Sequence, residues 1–201
     1  MKKLLIVAIG ILTAGAVHAQ DVSVGIKAGG NLSNIIKTGD SSYETNFKPG
    51  FHAGLTLEIG LGNTFAFAPE LMYSQKGYKA DRFGGTLTQT TNWIEIPVLA
   101  KIKAGPAFNI FLGPQVSFLT KTSNKFEGAF GAVEQTIIEK QSETFKKSIA
   151  GGVIGAGFDI TPKIGINARY ALDFQKNNEN GTNETPEFKN QVFQAGLGFK
   201  F

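Results

Sequence analysis

The chain has 201 residues, with 20 lysine and arginine residues against 16 aspartate and glutamate, two histidines and no cysteine. The missing thiols exclude disulfide bonds, a lipoprotein anchor and cysteine-based catalysis. The formal net charge of +4 includes Lys2 and Lys3, and without these two lysines 18 basic residues face 16 acidic ones, an excess of two. No basic stripe is present, so nucleic acid is not an expected partner.

The first 19 residues have the pattern of a secretory signal peptide. Lys2 and Lys3 precede an apolar run over residues 4–12, and small residues then lead to Ala19. The run is well short of the ~20 residues that a spanning helix needs. We predict cleavage of residues 1–19, a mature domain of residues 20–201, and membrane insertion by strands rather than by helices.

Eight segments of roughly ten residues or more alternate apolar side chains with polar or small ones, which places the two sets on opposite faces of a strand. The clearest segment covers residues 164–175, where Ile166 and Ala168 fall on one face and Asn167 and Arg169 on the other. The predicted strands are residues 22–30, 51–60, 65–76, 94–103, 108–119, 149–160, 164–175 and 191–201.

The connections between these segments alternate between short and long. Short turns are expected near residues 62–63, 105–106 and 161–162, and long polar loops over about 31–49, 77–92, 120–148 and 176–190. A soluble barrel has the same period, but this asymmetry is typical of outer-membrane barrels with short periplasmic turns and long extracellular loops. We therefore predict an all-β, eight-stranded antiparallel up-and-down transmembrane β-barrel with both mature termini in the periplasm. Residues 133–138 are expected to form a hairpin beyond the membrane.

Aromatic side chains are expected in two rings at the membrane interfaces, with packing in an ordinary β-rich core as the alternative. One ring comprises Phe65, Phe67, Phe108, Phe158, Phe199 and Phe201, and the other Tyr73, Trp93, Phe118, Tyr170 and Phe174. The chain ends on the alternating pair Phe199 and Phe201. This ending resembles the signal by which the outer-membrane assembly machinery recognises its substrates.

Five stretches carry a family resemblance: GIKAGGNLSN (25–34), PELMYSQKGY (69–78), WIEIPVLAKIK (93–103), ARYALDF (168–174) and QAGLGFKF (194–201). They resemble the PorT-like outer-membrane β-barrel family, often called porin-family proteins. The resemblance covers nearly the whole mature chain and implies an eight-stranded barrel of the size of small OmpA- and OmpX-type proteins. It implies no catalytic residues and no cofactor.

The polar faces of the predicted strands meet in the lumen, which eight strands leave only wide enough for side chains. The side chains expected there are Lys27, His52, Glu58, Glu70, Glu95, Lys101, Asp159, Arg169 and Asp173. Buried charges must pair, so we predict that these groups form a structural plug. The alternative is a path for protons or ions through the same groups.

Catalysis has a single candidate base, because His52 is the one histidine of the mature chain. No serine is tied to it by spacing, and a packed, hydrogen-bonded lumen histidine is the favoured interpretation. We expect no metal site and no cofactor. The sequence predicts a non-enzymatic envelope protein with a structural or loop-mediated binding role, whose partners are outer-membrane lipid, the assembly machinery and an extracellular ligand. A narrow pore for small solutes or ions is the first alternative, and an outer-membrane enzyme the second.

Overall fold

The computed structural model describes residues 22–37, 44–82, 84–128, 131–138, 147–177 and 187–201. The predicted signal peptide, residues 1–19, lies outside these ranges. The described strands are β1 (Val22–Lys37), β2 (Asn46–Leu61), β3 (Phe65–Arg82), β4 (Gly85–Ala104), β5 (Phe108–Gly128), β6 (Gly131–Ile138), β7 (Ser148–Asp159), β8 (Ile164–Asp173) and β9 (Phe188–Lys200).

Eight of these strands form a closed antiparallel ring. Neighbouring strands pair in the order β4-β3-β2-β1-β9-β8-β7-β5, and β4 pairs with β5 to close the circle. Among the described strands, β6 pairs only with β5 and stands outside the ring. The predicted eight-stranded up-and-down barrel is confirmed, because first and last strands meet and leave no open sheet edge within the ring.

The period-2 pattern sorts the side chains as expected. On β8, Ile166 and Ala168 are exposed on the outer surface while Arg169 is only 3% exposed. On β2, Phe51 and Leu55 face outward in the same way. A continuous outer surface of large apolar side chains suits a barrel surrounded by hydrocarbon rather than by water.

One end of the barrel, the turn end, has three short connections. Gly62 and Gly105 adopt φ values of 86° and 88°, a left-handed conformation that glycine adopts without a steric penalty. In the third connection, the Thr161 hydroxyl accepts hydrogen bonds from the backbone N–H groups of Lys163 and Ile164, at 3.2 and 2.9 Å. These tight turns match the predicted ones.

The opposite end, the hairpin end, differs from the prediction. Residues 77–92 do not form a loop, because β3 and β4 stay paired from Gly77↔Thr90 to Arg82↔Gly85. Likewise, β5 continues to Gly128 and pairs with β6, the predicted 133–138 hairpin. The alternation was hard to see there because polar residues occupy both faces: Thr88 and Thr90 point outward, while Gln89 and Thr91 point inward and are buried. Four strands, β3 to β6, therefore project beyond the apolar band; we call this the projecting sheet.

Candidate functional site: the filled lumen and the projecting sheet

The centre of the lumen contains one carboxylate between two cations. Glu70 of β3 forms ion pairs with Lys27 of β1 and with Arg169 of β8, the latter at 2.6 Å between Nη1 and Oε2. The Arg169 Nε also donates to the Gln194 side chain. This cluster joins four strands across the barrel and carries one excess positive charge.

A second cluster lies nearer the hairpin end and carries one excess negative charge. The Lys76 ammonium lies 2.6 Å from Glu95 and 3.6 Å from Asp173, and all three side chains are buried. Asp173 Oδ2 also accepts hydrogen bonds from the amides of Asn177 and Asn190, at 3.2 and 2.8 Å. Two carboxylates thus share one lysine.

A third cluster lies at the turn end. Glu58 accepts ion pairs from Lys101 and Lys103 at 2.8 and 2.9 Å, and from Lys200 at 3.6 Å. Lys200 in turn lies 3.3 Å from Asp159. The eight predicted lumen charges therefore lie in three layers, and each of them has a partner of opposite charge.

Apolar side chains fill the space between the charged layers. One packed group draws a residue from each of six strands: Ala68, Leu99, Phe111, Val153, Ala171 and Val192. The Phe111 ring fits because the neighbouring wall residue is Gly155, where a Cβ would lie 2.6 Å from that ring. A cavity of about 80 Å³, lined in part by Lys27, Glu58 and Lys101, remains toward the turn end. This volume holds a few water molecules and not a solute.

His52 is a packed lumen residue in this structure. It is 1% exposed, and its Nδ1 lies 2.7 Å from the Asn31 side-chain oxygen, which also accepts from Gln194 at 2.9 Å. The Asn31 amide donates to the backbone oxygens of Phe51 and Gln75, where the β2–β3 pairing is irregular. His52 therefore completes a network that bridges a gap in the sheet, and no described serine or acid hydrogen-bonds to it.

The structure corrects one assignment within the lumen and adds one residue to it. Trp93 was predicted in an interfacial aromatic ring, but it is 1% exposed and its ring lies 5.5 Å from the Lys76 ammonium. Trp93 faces the lumen because it is two residues from Glu95 on β4, and residues two apart on a strand share a face. The cation beside Asp173 is Lys76, whereas Arg169 pairs with Glu70. Lys76 was missing from the predicted set, although its position six residues after Glu70 on the same strand face was a usable signal.

The projecting sheet presents polar side chains of β3, β4 and β5 on its outward face, whereas inward side chains such as Tyr78, Gln89 and Thr122 are buried. Outward positions of β4 carry Thr86, Thr88 and Thr90, and Thr86 donates to Asp81 at 2.8 Å. Lys125 and Glu127 form an exposed ion pair at 2.8 Å. A hydrogen bond and charge attraction from Lys125 hold the pKa of Glu127 below its ordinary value.

Neither a metal centre nor a spanning helix is found in the described part of the chain. No group of three or more histidine, aspartate and glutamate side chains there is arranged to hold a metal ion. No helix in those residues is long and apolar enough to cross a membrane.

The closed ring, its apolar outer face and its polar, filled interior define a small transmembrane β-barrel. The chain belongs to the outer membrane protein beta-barrel domain family, whose model matches residues 18–179. It is therefore an integral outer-membrane barrel.

Two solved structures share the fold at low sequence identity. Ail of Yersinia pestis, crystallised in complex with the heparin analogue sucrose octasulfate, is 13% identical with a TM-score of 0.51, covering 90% of this chain and 100% of Ail. Neisserial surface protein A is 15% identical with a TM-score of 0.53 at the same coverage. No curated protein matches the chain.

Proposed function

We propose that this protein is a non-enzymatic outer-membrane barrel that binds a ligand outside the cell through its projecting sheet. The observation that carries the proposal is the contrast between the filled lumen and the strands that extend beyond the membrane-facing band. The lumen is filled by ion pairs and apolar side chains, while four strands extend past the lipid-facing band, and β3, β4 and β5 carry polar side chains on their outward faces.

The proposal places the hairpin end outside the cell and the turn end in the periplasm. Both described termini lie at the turn end, since Val22 pairs with Ile59 and the Phe201 N–H donates to the Val24 oxygen at 2.9 Å. Short periplasmic turns and longer external segments are the usual arrangement. Cleavage of residues 1–19 and recognition of Phe199 and Phe201 by the assembly machinery fit this orientation.

The lumen acts as a structural plug in this proposal, with Lys27, Glu58, Glu70, Glu95, Lys101, Asp159, Arg169 and Asp173 as its charged members. Pairs of opposite charge offset the cost of burying these groups, and they tie together strands that are distant in sequence. The apolar group around Phe111 argues against a pore. The packed environment of His52 argues against an enzyme.

The relatives add support at the level of the fold. Ail binds a sulfated heparin analogue in its crystal structure, and the other relative is named a surface protein. A barrel of this kind therefore suits ligand binding outside the cell. The sequence motifs that resemble the PorT-like family suggest membership of that subgroup.

The test shortens the projecting sheet without touching the ring. A variant joins Asn124 to Gln135, which are register partners, through a two-residue turn. The intact protein in nanodiscs should bind at least one class of ligand on glycan and matrix-protein arrays, and the shortened variant should lose that binding while keeping its heat-modifiable mobility on gels. Equal binding by both proteins, or binding by neither, would contradict the proposal.

A further inference from the structure

The flank of the barrel formed by β4, β5 and the start of β7 carries a group of exposed lysines just above the apolar band. Lys121 follows the irregularity in the β4–β5 pairing and is exposed, whereas its neighbour Thr122 points into the interior. Lys147 is also exposed, and its backbone oxygen accepts the N–H of Leu119 at 3.0 Å. Lys147 therefore lies beside β5 two residues before Lys121, whose own register partner on that side is Ile138 of β6.

Two further lysines lie higher on the same flank. Lys79 and Lys125 are the register partners of Thr88 on its two sides, so their backbones are about 10 Å apart, two strand spacings. We call Lys79, Lys121, Lys125 and Lys147 the basic flank. Among the described residues, no acid forms an ion pair with Lys79 or Lys121, whereas Lys125 pairs with Glu127.

This flank is the upward continuation of the lipid-facing surface. Ile94 pairs with Tyr73 and Phe118, and all three point outward within the apolar band. The pair Asn92 and Lys121 lies one pleat higher, about 7 Å along the strand. A lipid whose chains pack against Phe118 therefore has its headgroup beside Lys121.

The surface between the lysines supplies hydrogen-bonding groups rather than apolar ones. Thr90 and Ser123 are register partners on the outward face, directly above Asn92. Hydroxyl and amide groups suit sugar hydroxyls, and lysine ammonium groups suit phosphate. Asp81 and Glu127 lie in the topmost row of this face, away from the membrane, and Glu134 of β6 is the register partner of Lys125.

We propose that the basic flank binds the phosphate groups of a phosphorylated glycolipid in the outer leaflet. The inference rests on the proposed orientation, in which the projecting sheet is extracellular, but it does not need a ligand at the tip of that sheet. Lys121 and Lys147 meet the phosphate nearest the membrane, and Lys79 and Lys125 meet groups farther out. Such a contact fixes one side of the barrel toward bound glycolipid.

The experiment uses the full mature chain reconstituted in phosphatidylcholine nanodiscs that contain bisphosphorylated lipid A. After mild detergent extraction, native mass spectrometry counts the lipid A retained per barrel. The variant Lys121→Gln with Lys147→Gln should retain about thirtyfold less lipid A, because each lysine near an anionic lipid surface contributes about 1 kcal/mol to the attraction. Monophosphoryl lipid A and high salt should lower retention by the intact protein.

The matched control is Lys163→Gln with Lys189→Gln. Lys163 lies in a tight connection at the turn end and Lys189 on β9, three strands around the ring from β5. This control should retain lipid A like the intact protein, and heat-modifiable mobility shows that each variant is folded. Equal retention by the two double variants would overturn the proposal.

A second arm distinguishes a lipid from a soluble glycan. Sucrose octasulfate is added to the protein in nanodiscs without lipid A. Weak binding that is unchanged by Lys121→Gln with Lys147→Gln supports the lipid assignment. Tight binding that is lost in this variant would show a site open to the medium and would contradict the assignment. The reconstituted system does not depend on orientation in the cell, so failure here is separate from failure of the proposed function.

Discussion

Arg169 Nη1 lies 2.6 Å from Glu70 Oε2 across the lumen, although the two residues are 99 positions apart in the sequence. The same carboxylate pairs with Lys27, so one acid serves two cations in the centre of the barrel. Because one carboxylate compensates two cations, loss of Glu70 should affect stability more than loss of either cation.

Glu70→Gln should destabilise the barrel more than Arg169→Met. The first change leaves two buried cations without their carboxylate, and loss of a buried partner costs about 3 to 5 kcal/mol. The second change leaves a neutral Lys27–Glu70 pair, so its cost should fall below that range. Urea unfolding in lipid vesicles measures both free energies. An Arg169 variant as unstable as the Glu70 variant would show that the pair with Lys27 does not support Glu70.

Ala168→Arg should destabilise the protein by about 2 to 4 kcal/mol if the position lies near the bilayer midplane, because a charged side chain there meets hydrocarbon. Ala168 is exposed on the outer surface and its neighbour Arg169 faces the lumen. Ala168→Leu is the control of apolar character. Lipid-phase labelling of single cysteines at 168 and 169 gives a second readout, and labelling at 169 alone would reverse the assignment of the two faces.

The purified protein should show no large, steady conductance in planar bilayers. The group of apolar side chains around Phe111 and Leu99 fills the barrel between charged layers. Phe111→Ala removes the largest of these side chains and should increase brief openings, while Phe108→Ala, on the outer surface, should not. Stable ion-selective channels of nanosiemens size in the unmodified protein would contradict the plug.

Deletion of Phe201, or its replacement by aspartate, should reduce assembled protein much more than Lys200→Gln. Phe201 is exposed on the outer surface against the Phe199 ring, with ring centroids 5.7 Å apart, whereas Lys200 pairs with Asp159. Pulse-chase measurement of heat-modifiable protein in the outer membrane compares the variants. Equal assembly of the Phe201 and Lys200 variants would remove the role assigned to the terminal aromatic.

The sequence predicted the ring well where lipid lies on one side and the lumen on the other. Around Ala168 and Arg169 the two environments differ so strongly that the period-2 pattern appears without an alignment. Residues 86–92 and 120–128 gave no such signal, because their outward side chains are polar and their buried inward side chains, such as Gln89, Thr91 and Thr122, are polar too. The strands were therefore predicted too short at that end.

It was easier to predict which charged residues line the lumen than which of them form ion pairs with one another. Parity places Glu70, Glu95 and Asp173 inside, but the partner of each depends on the stagger of strands around the ring, which local sequence does not encode. Asp173, for example, pairs with Lys76, a residue that was absent from the predicted set. Trp93 was assigned to an interfacial aromatic ring from its height along the strand. The alternation of side chains, which puts Trp93 on the same face as Glu95, would have placed it in the lumen.

The most direct test of the account uses single cysteines at Val133 and Asn63. The natural chain has no cysteine, so no background thiol interferes. Val133 is 70% exposed on β6 in the projecting sheet, and Asn63 lies in the β2–β3 turn at the other end. A membrane-impermeant maleimide should label position 133 in intact cells and position 63 only after the outer membrane is permeabilised. Labelling of position 63 but not 133 in intact cells would place the projecting sheet in the periplasm and contradict its role in extracellular binding.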